Sequence, residues 1–346
     1  MSIIINLLLF VVILGVIVFV HEFGHFILAK WNGVYVYEFA LGMGPKICGF
    51  KKGDTEYNLR AIPIGGFCQL AGEDLDADDD KKISKEKRLQ NKKPWQRFLI
   101  MLFGPMNNFI LGVLLIFLIA IIWGGSSMDP VISKAVKNTP AYEAGLRSGD
   151  KVLSINKKRV ETSDDLSLYL ALAPTTKKNT IVVERDNKKI TVKVKPKKEK
   201  AGYKYGIEIK QKKTKGFINS IVYTYKKTKS IFKQMAITVA YLFTGRVRLN
   251  QLSGPVGIYS IVGEQRATGG IMNLIYLTAF LSINVGFINL LPIPAFDGGH
   301  ILFIIIEKIK GSPVKPELEN KIHTVFLILL MILMLVITIN DVIRLF

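Results

Sequence analysis

The stretch GVIVFVHEFGHFILAK, residues 15–30, sets His21, Glu22 and His25 in an otherwise apolar run. On a helix, residues four apart share a face, so both imidazoles point the same way. That spacing lets two histidines hold one zinc ion, with Glu22 beside the water the ion activates. The competing reading is a pair of packed core histidines with a surface glutamate. Inside an apolar span that reading leaves Glu22 buried without a partner, at a cost of about 3 kcal/mol or more.

A catalytic zinc needs a third protein ligand and an open fourth position. The only other histidines are His300 and His323, and acidic groups in later apolar segments are few. Asp297 stands out in NVGFINLLPIPAFDGGH. Pro292 and Pro294 before it, and Gly298 and Gly299 after it, break a helix at membrane depth. Broken backbone is tolerated there only where it lines a cavity. Asp297 is therefore a candidate ligand. A turn-capping role for Asp297, and His300 as ligand in its place, are the alternatives.

These residues need a membrane scaffold to hold them. The chain is 49% hydrophobic yet 21% charged, with mean hydropathy +0.31. This balance indicates a membrane protein with soluble parts. Hydropathy gives four spans of about 20 residues, the length a ~30 Å hydrocarbon core requires. They lie near 3–29, 97–123, 272–292 and 323–343, the third continuing past its prolines into an apolar helix near 299–309. Residues 1–20 lack a basic n-region and a small-residue cleavage site, which predicts an uncleaved first span. The cations flanking the first two spans (Lys30, Lys92, Lys93, Arg97) predict that residues 30–96 are cytoplasmic and both termini external. Residues 124–270 carry 29 Lys and Arg against 11 Asp and Glu, a surplus on the side predicted external. Long domains cross largely regardless of charge, so the near flanks decide. The net charge of +20, without any nucleic-acid motif, points to membrane lipids rather than nucleic acid. Cys48 and Cys68 form neither a CxxC nor a disulfide framework and are expected as free thiols.

Between the spans, residues 34–70 read as short strands, with a hairpin signal at Lys52–Gly53–Asp54 and a bend at Gly65–Gly66. Their apolar content predicts a sheet leaning into the membrane interface. The mixed-charge run at 73–88 reads as a solvated loop. Residues 128–198 resemble a PDZ domain, the class that adds an extended peptide to a sheet edge. Pro140, Ala144–Gly145–Leu146, Gly149–Asp150 and Ile155–Asn156 carry that resemblance, without the usual carboxylate-binding loop. Residues 216–244 place apolar side chains at helical spacing among lysines. They read as a basic amphipathic helix lying on a membrane, or as a simple core-facing helix.

HEFGH in the first span, one PDZ-like segment between spans two and three, and the run Asn289–Pro292–Pro294–Asp297–Gly298–Gly299 together resemble the site-2 protease family of intramembrane zinc metalloproteases. Its regulator-of-sigma-E branch is the most similar. GPMNN at 104–108 and SGPVGI at 253–258 resemble further landmarks of that family. Phe296 stands where the family's motif carries leucine. The resemblance implies zinc ligands His21, His25 and Asp297, with Glu22 as catalytic acid/base. It implies Asn289 as a substrate contact and residues 34–70 as a membrane-reentrant β-loop. An edge strand at Gly65, Gly66 and Phe67 would hold an unwound substrate by β-addition. The expected fold is a multi-pass α-helical membrane protein of about four transmembrane helices, with a membrane-reentrant β-sheet and one inserted α+β PDZ domain. Its divisions are 1–30, 31–96, 97–123, 124–200, 201–270, 271–310 and 311–346. The expected setting is the bacterial cytoplasmic membrane, with the PDZ domain extracytoplasmic and filtering for substrates already trimmed. The active site would face the cytoplasmic side. Single-span proteins such as anti-sigma factors and remnant signal peptides are the expected substrates. Two other readings use the same residues: a membrane zinc protease with a glutamate as third ligand, and a non-hydrolytic PDZ scaffold or metal transporter.

Overall fold

Thirty residues from Ser2 to Trp31 form the first helix, α1, in the computed structural model, which describes residues 2–73, 82–199, 202–209, 213–245 and 253–345. Part of the mixed-charge run at 73–88 lies outside the described residues. Three further helices are long and apolar enough to cross a membrane: α2 (Pro94–Trp123), α6 (Pro255–Leu290) and α8 (Pro316–Leu345). The chain divides into two units, one of Met1–Leu115 with Val239–Phe346, the other Ile116–Thr238.

In the first unit, α1 and α2 cross where small residues allow it. A Cβ on Gly24 would fall 2.7 Å from the Phe103 carbonyl carbon and 2.9 Å from the Gly104 nitrogen. Small residues at such crossings bring backbones together, which is how apolar helices gain packing energy in lipid. Phe10, Ile13 and Ile17 of α1 pack with Val262, Leu274 and Leu277 of α6.

Helix α6 begins at Pro255, ahead of the span that hydropathy places near 272–292. Glu264, Gln265 and Arg266 end the apolar window, but the helix continues through them. It bends at Gly270, whose φ of 57° and ψ of −139° are not helical. The chain then breaks at 291–296 and resumes as α7 (Asp297–Lys310), which ends in a left-handed Gly311. α8 also starts earlier than expected, its first turn carrying Glu317 and Glu319, where acidic groups suit the helix dipole.

The strands between α1 and α2 are long rather than short. β1 (Val36–Lys52) and β2 (Thr55–Leu70) join at Gly53–Asp54. Residues 36–41 pair with 66–70 on one side and with 56–59 on the other, while 48–52 close back onto 55–59. Two strands thus make a four-row sheet with bulges, and row 66–70 lies at its rim. Met43, Ile47, Phe50 and Ile62 are exposed on it.

The second unit holds a sheet of order β6-β5-β7-β8, formed by β5 (Lys151–Ile155), β6 (Lys158–Arg159), β7 (Asn179–Arg185) and β8 (Lys188–Val194). Three two-stranded pairs accompany it: β3 (Gly125–Ser126) with β12 (Lys213–Thr214), β4 (Ile132–Ala135) with β11 (Ile207–Ile209), and β9 (Lys197–Glu199) with β10 (Gly202–Lys204). Ile181 and Val183, alternate residues of β7, and Val152 and Ile155 of β5, which flank a register shift, turn inward onto Leu146 and Leu166, from the region of two short helices, α3 (Pro140–Glu143) and α4 (Ser163–Ala171). α4 starts with a capping box between Thr162 and Asp165. Asp150 is fully buried, and Arg185 pairs with both of its oxygens. α5 (Phe217–Phe243) leaves Phe217, Ile218 and Tyr225 exposed, while Lys227 and Lys233 pair with Asp164 and Asp165 of α4. The cysteines are free, Cys48 exposed and Cys68 buried.

Candidate metal centre

α1 delivers His21 and His25 one turn apart, both more than nine-tenths buried. The break after α6 delivers Asp297 as the first residue of α7. Their ligand-type atoms converge: His21 Nε2 is 3.3 Å from His25 Nε2 and 3.1 Å from Asp297 Oδ2, and His25 Nε2 is 3.4 Å from Asp297 Oδ1. Tetrahedral ligation at 2.0–2.1 Å places ligand atoms about 3.3 Å apart, and these three close approaches, which use both Asp297 oxygens, have that spacing. Asp297 Oδ2 is buried and makes no hydrogen bond, despite its closeness to His21. Acceptor atoms that face one another without oriented protons suit a cation among them.

The outer partners fix the imidazoles. His25 Nδ1 donates to the Ile100 carbonyl at 2.9 Å, which leaves Nε2 as a lone pair. His21 Nδ1 lies 3.2 Å from the amide of Asn108, whose Oδ1 is buried and without a partner. Turning that amide end for end offers Oδ1 to His21 Nδ1–H, the tautomer that frees Nε2 for a metal. Asn107 donates to the Val20 carbonyl at 3.2 Å, and Ser282 of α6 donates to the Asn108 carbonyl at 2.8 Å. GPMNN at 104–108 is thus the seam that joins α1, α2 and α6. Its Gly104 packs directly against the His25 ring.

Glu22 lies between the histidines and the sheet, where the backbone N–H of Cys68 donates to its carboxylate. A cavity of about 530 Å³ is lined by His21, Glu22, His25, Phe67 and Asp297. A second of about 380 Å³ is lined by Glu22, Gly65, Gly66, Asn289 and Asp297. The expected ligands His21, His25 and Asp297, with Glu22, Asn289, Gly65, Gly66 and Phe67, therefore line these two cavities. Glu38 and Arg60 also line the first, their side chains joined by two hydrogen bonds of 2.9 and 2.6 Å. Burial alone would raise the Glu38 pKa, but Arg60 and Asn58 hold it below the ordinary carboxylate value. Arg60 also stacks over the Phe67 ring at 5.0 Å. His300 lines the second cavity, but its Nδ1 faces Glu319 at 3.5 Å, in a separate group with His323.

Asn108, Gly104, His323 and the Glu38–Arg60 pair were not identified from sequence. GPMNN offered a signal as a family landmark, though not the partner of its asparagines.

Comparison with known proteins gives a consistent picture. A model of the Peptidase family M50 matches residues 9–333. The zinc metalloprotease RasP of Bacillus licheniformis is 34% identical over 97% of this chain and 98% of its own. The regulator of sigma-W protease RasP of Bacillus subtilis matches at the same identity and coverage. A putative zinc metalloprotease of Clostridium perfringens is 37% identical over 94% of this chain and 95% of its own.

Proposed function

The chain belongs to peptidase family M50, and from that premise we propose that it is an intramembrane zinc metalloprotease cutting within the transmembrane segments of single-span substrates. It is an integral membrane protein with four helices of spanning length. The observation that carries the reading is the cluster of His21, His25 and Asp297, whose ligand-type atoms approach pairwise to 3.1–3.4 Å through both Asp297 oxygens and which line one cavity. A zinc ion held there supplies a Lewis acid and lowers the pKa of a water to about 7. Glu22, on the same helix turn, takes the water's proton and returns it to the leaving amine. The N–H of Cys68 keeps its carboxylate turned toward the sheet and the cavity.

A helical substrate has its carbonyls paired and must unwind before attack. Row 66–70 of the sheet, with Gly65, Gly66 and Phe67 beside Glu22, offers an edge to which an extended segment can add. Gly66 lets this row lie close against its neighbours: an added Cβ would stand 2.8 Å from the Ala40 carbonyl oxygen and 3.1 Å from Val18 Cγ1. Asn289 lines the same cavity and is suited to hold the substrate backbone. The exposed apolar side chains of the hairpin favour a membrane-reentrant setting for residues 34–70.

Residues 128–198 act as a single PDZ domain, placed outside the cytoplasmic membrane, that admits substrates already trimmed. Anti-sigma factors and remnant signal peptides are the substrate class. The Bacillus subtilis relative, named a regulator of sigma-W protease, favours the first. The test is cleavage of a tagged single-span anti-sigma factor co-expressed with wild type or Glu22→Gln. Cleavage is expected to vanish with Glu22→Gln while the variant accumulates in the membrane and retains zinc. Equal cleavage by both would overturn the assignment.

A further inference from the structure

We propose that His323 of α8 is a positioning residue for Asp297, holding the turn from which Asp297 reaches the two histidines. The inference rests on Asp297 being a metal ligand. Ala295, two residues before it, has φ of +81°, a left-handed conformation that a residue with a Cβ adopts only under constraint. The constraint comes from outside the turn: the Ala295 N–H donates to His323 Nδ1 at 3.0 Å. Phe296, at the N-cap of α7, provides no side-chain cap. The His323 ring cannot swing freely, because it stacks on His300 at 4.1 Å between centroids and packs against Phe303 at 5.5 Å.

The same geometry argues against a second metal at His300, Glu319 and His323, although their ligand-type atoms gather within 4.8 Å. A neutral imidazole that accepts at Nδ1 carries its proton on Nε2 and has no lone pair left for a cation. His323 Nε2 is indeed buried without a partner. A polar atom left unsatisfied is a cost, offset here by what Nδ1 holds in place.

The experiment uses the purified full-length protein in detergent. Zinc affinity is measured by competition with a chromophoric chelator, and kcat and KM are measured on a single-span substrate. His323→Ala is expected to weaken zinc binding roughly ten- to hundredfold, the range for losing an outer-shell partner, and to lower kcat with KM unchanged. His323→Asn, whose Oδ1 stands where Nδ1 did, is expected to retain near wild-type affinity. Ala295→Gly added to His323→Ala is expected to recover affinity, since glycine takes positive φ without penalty. Unchanged affinity in His323→Ala overturns the proposal. So does failure of both the asparagine variant and the glycine rescue. If His323→Ala does not accumulate, those last two variants decide in the same way. Asp297→Ala separates the two readings. If it binds zinc like wild type, the ligand assignment falls. If it loses zinc while every His323 variant keeps it, only the positioning role falls.

Discussion

Gly104→Ala tests whether the seam between α1 and α2 sets the metal centre. An ideal Cβ at position 104 would lie 2.5 Å from His25 Cε1 and 2.9 Å from Cδ2, where ordinary contact starts at 3.4 Å. Nε2, the ligand atom itself, would be closer still, so the His25 ring must retreat by more than 1 Å, or α2 must move away. Nδ1 is tied to the Ile100 carbonyl on that same helix, so either response displaces Nε2. Metal sites tolerate ligand displacements of about 0.2 Å, and a misplacement of about 1 Å in a catalytic group costs on the order of 10²-fold in rate. Gly104→Ala is thus expected to lower both zinc affinity and cleavage about a hundredfold. Gly112→Ala is the control, since its Cβ meets Ile283 Cδ1 at 2.9 Å and the Ala279 carbonyl at 3.0 Å, away from the histidines. It is expected to cost about 1–3 kcal/mol by overpacking while the folded fraction keeps its zinc. Metal content per folded molecule, measured after gel filtration, distinguishes the two. Equal zinc retention in both variants would refute the reasoning.

Three further outcomes are expected. Asn108→Leu removes the amide beside His21 Nδ1 and should weaken zinc binding about 10–100-fold; chelator competition reads this directly. Asp341→Ala leaves the N–H groups of Gly254 and Gly257, each now donating to Asp341 at 2.8 Å, without their acceptor. The loss should be about 1–3 kcal/mol, seen as a lower midpoint of thermal unfolding in detergent. Glu38 has a folded-state pKa below its ordinary 4.5, so its pairing with Arg60 stabilises the fold above that pH and fades as pH falls through the lowered value. Wild type should therefore lose more stability than Glu38→Gln between pH 6 and pH 3.5; equal losses would mean the pair contributes nothing.

The sequence made the centre legible where local rules apply. The i, i+4 histidines announce one face of a helix, and prolines and glycines around Asp297 announce broken backbone. Helix α6 shows a weaker case. It starts at Pro255, inside a stretch recognised only as a family landmark, because the apolar window ended with Glu264 and Arg266. The sheet was harder: turn signals mark the hairpin, whereas the double pairing of residues 36–41 depends on long-range register and bulges. Asn108, His323 and Asp341 act on groups 87, 28 and 84–87 residues away. No periodicity encodes such distances. Each is a polar residue in a helix whose distant partner only the fold supplies.

Helix α8 meets the rest of its unit through polar attachments near both ends, at His323 and Asp341. Most side chains between them, from Val325 to Val336, are exposed. Eighteen residues of helix span about 27 Å, close to the hydrocarbon thickness of a bilayer. α8 is thus a gauge rod, pinned at its two tips with greasy flanks left to lipid. Its vertical registration is tied to hydrogen bonds at the two tips, together with the ring packing of His323 against His300 and Phe303. Sliding it by a single turn, 5.4 Å, would release both pins at once.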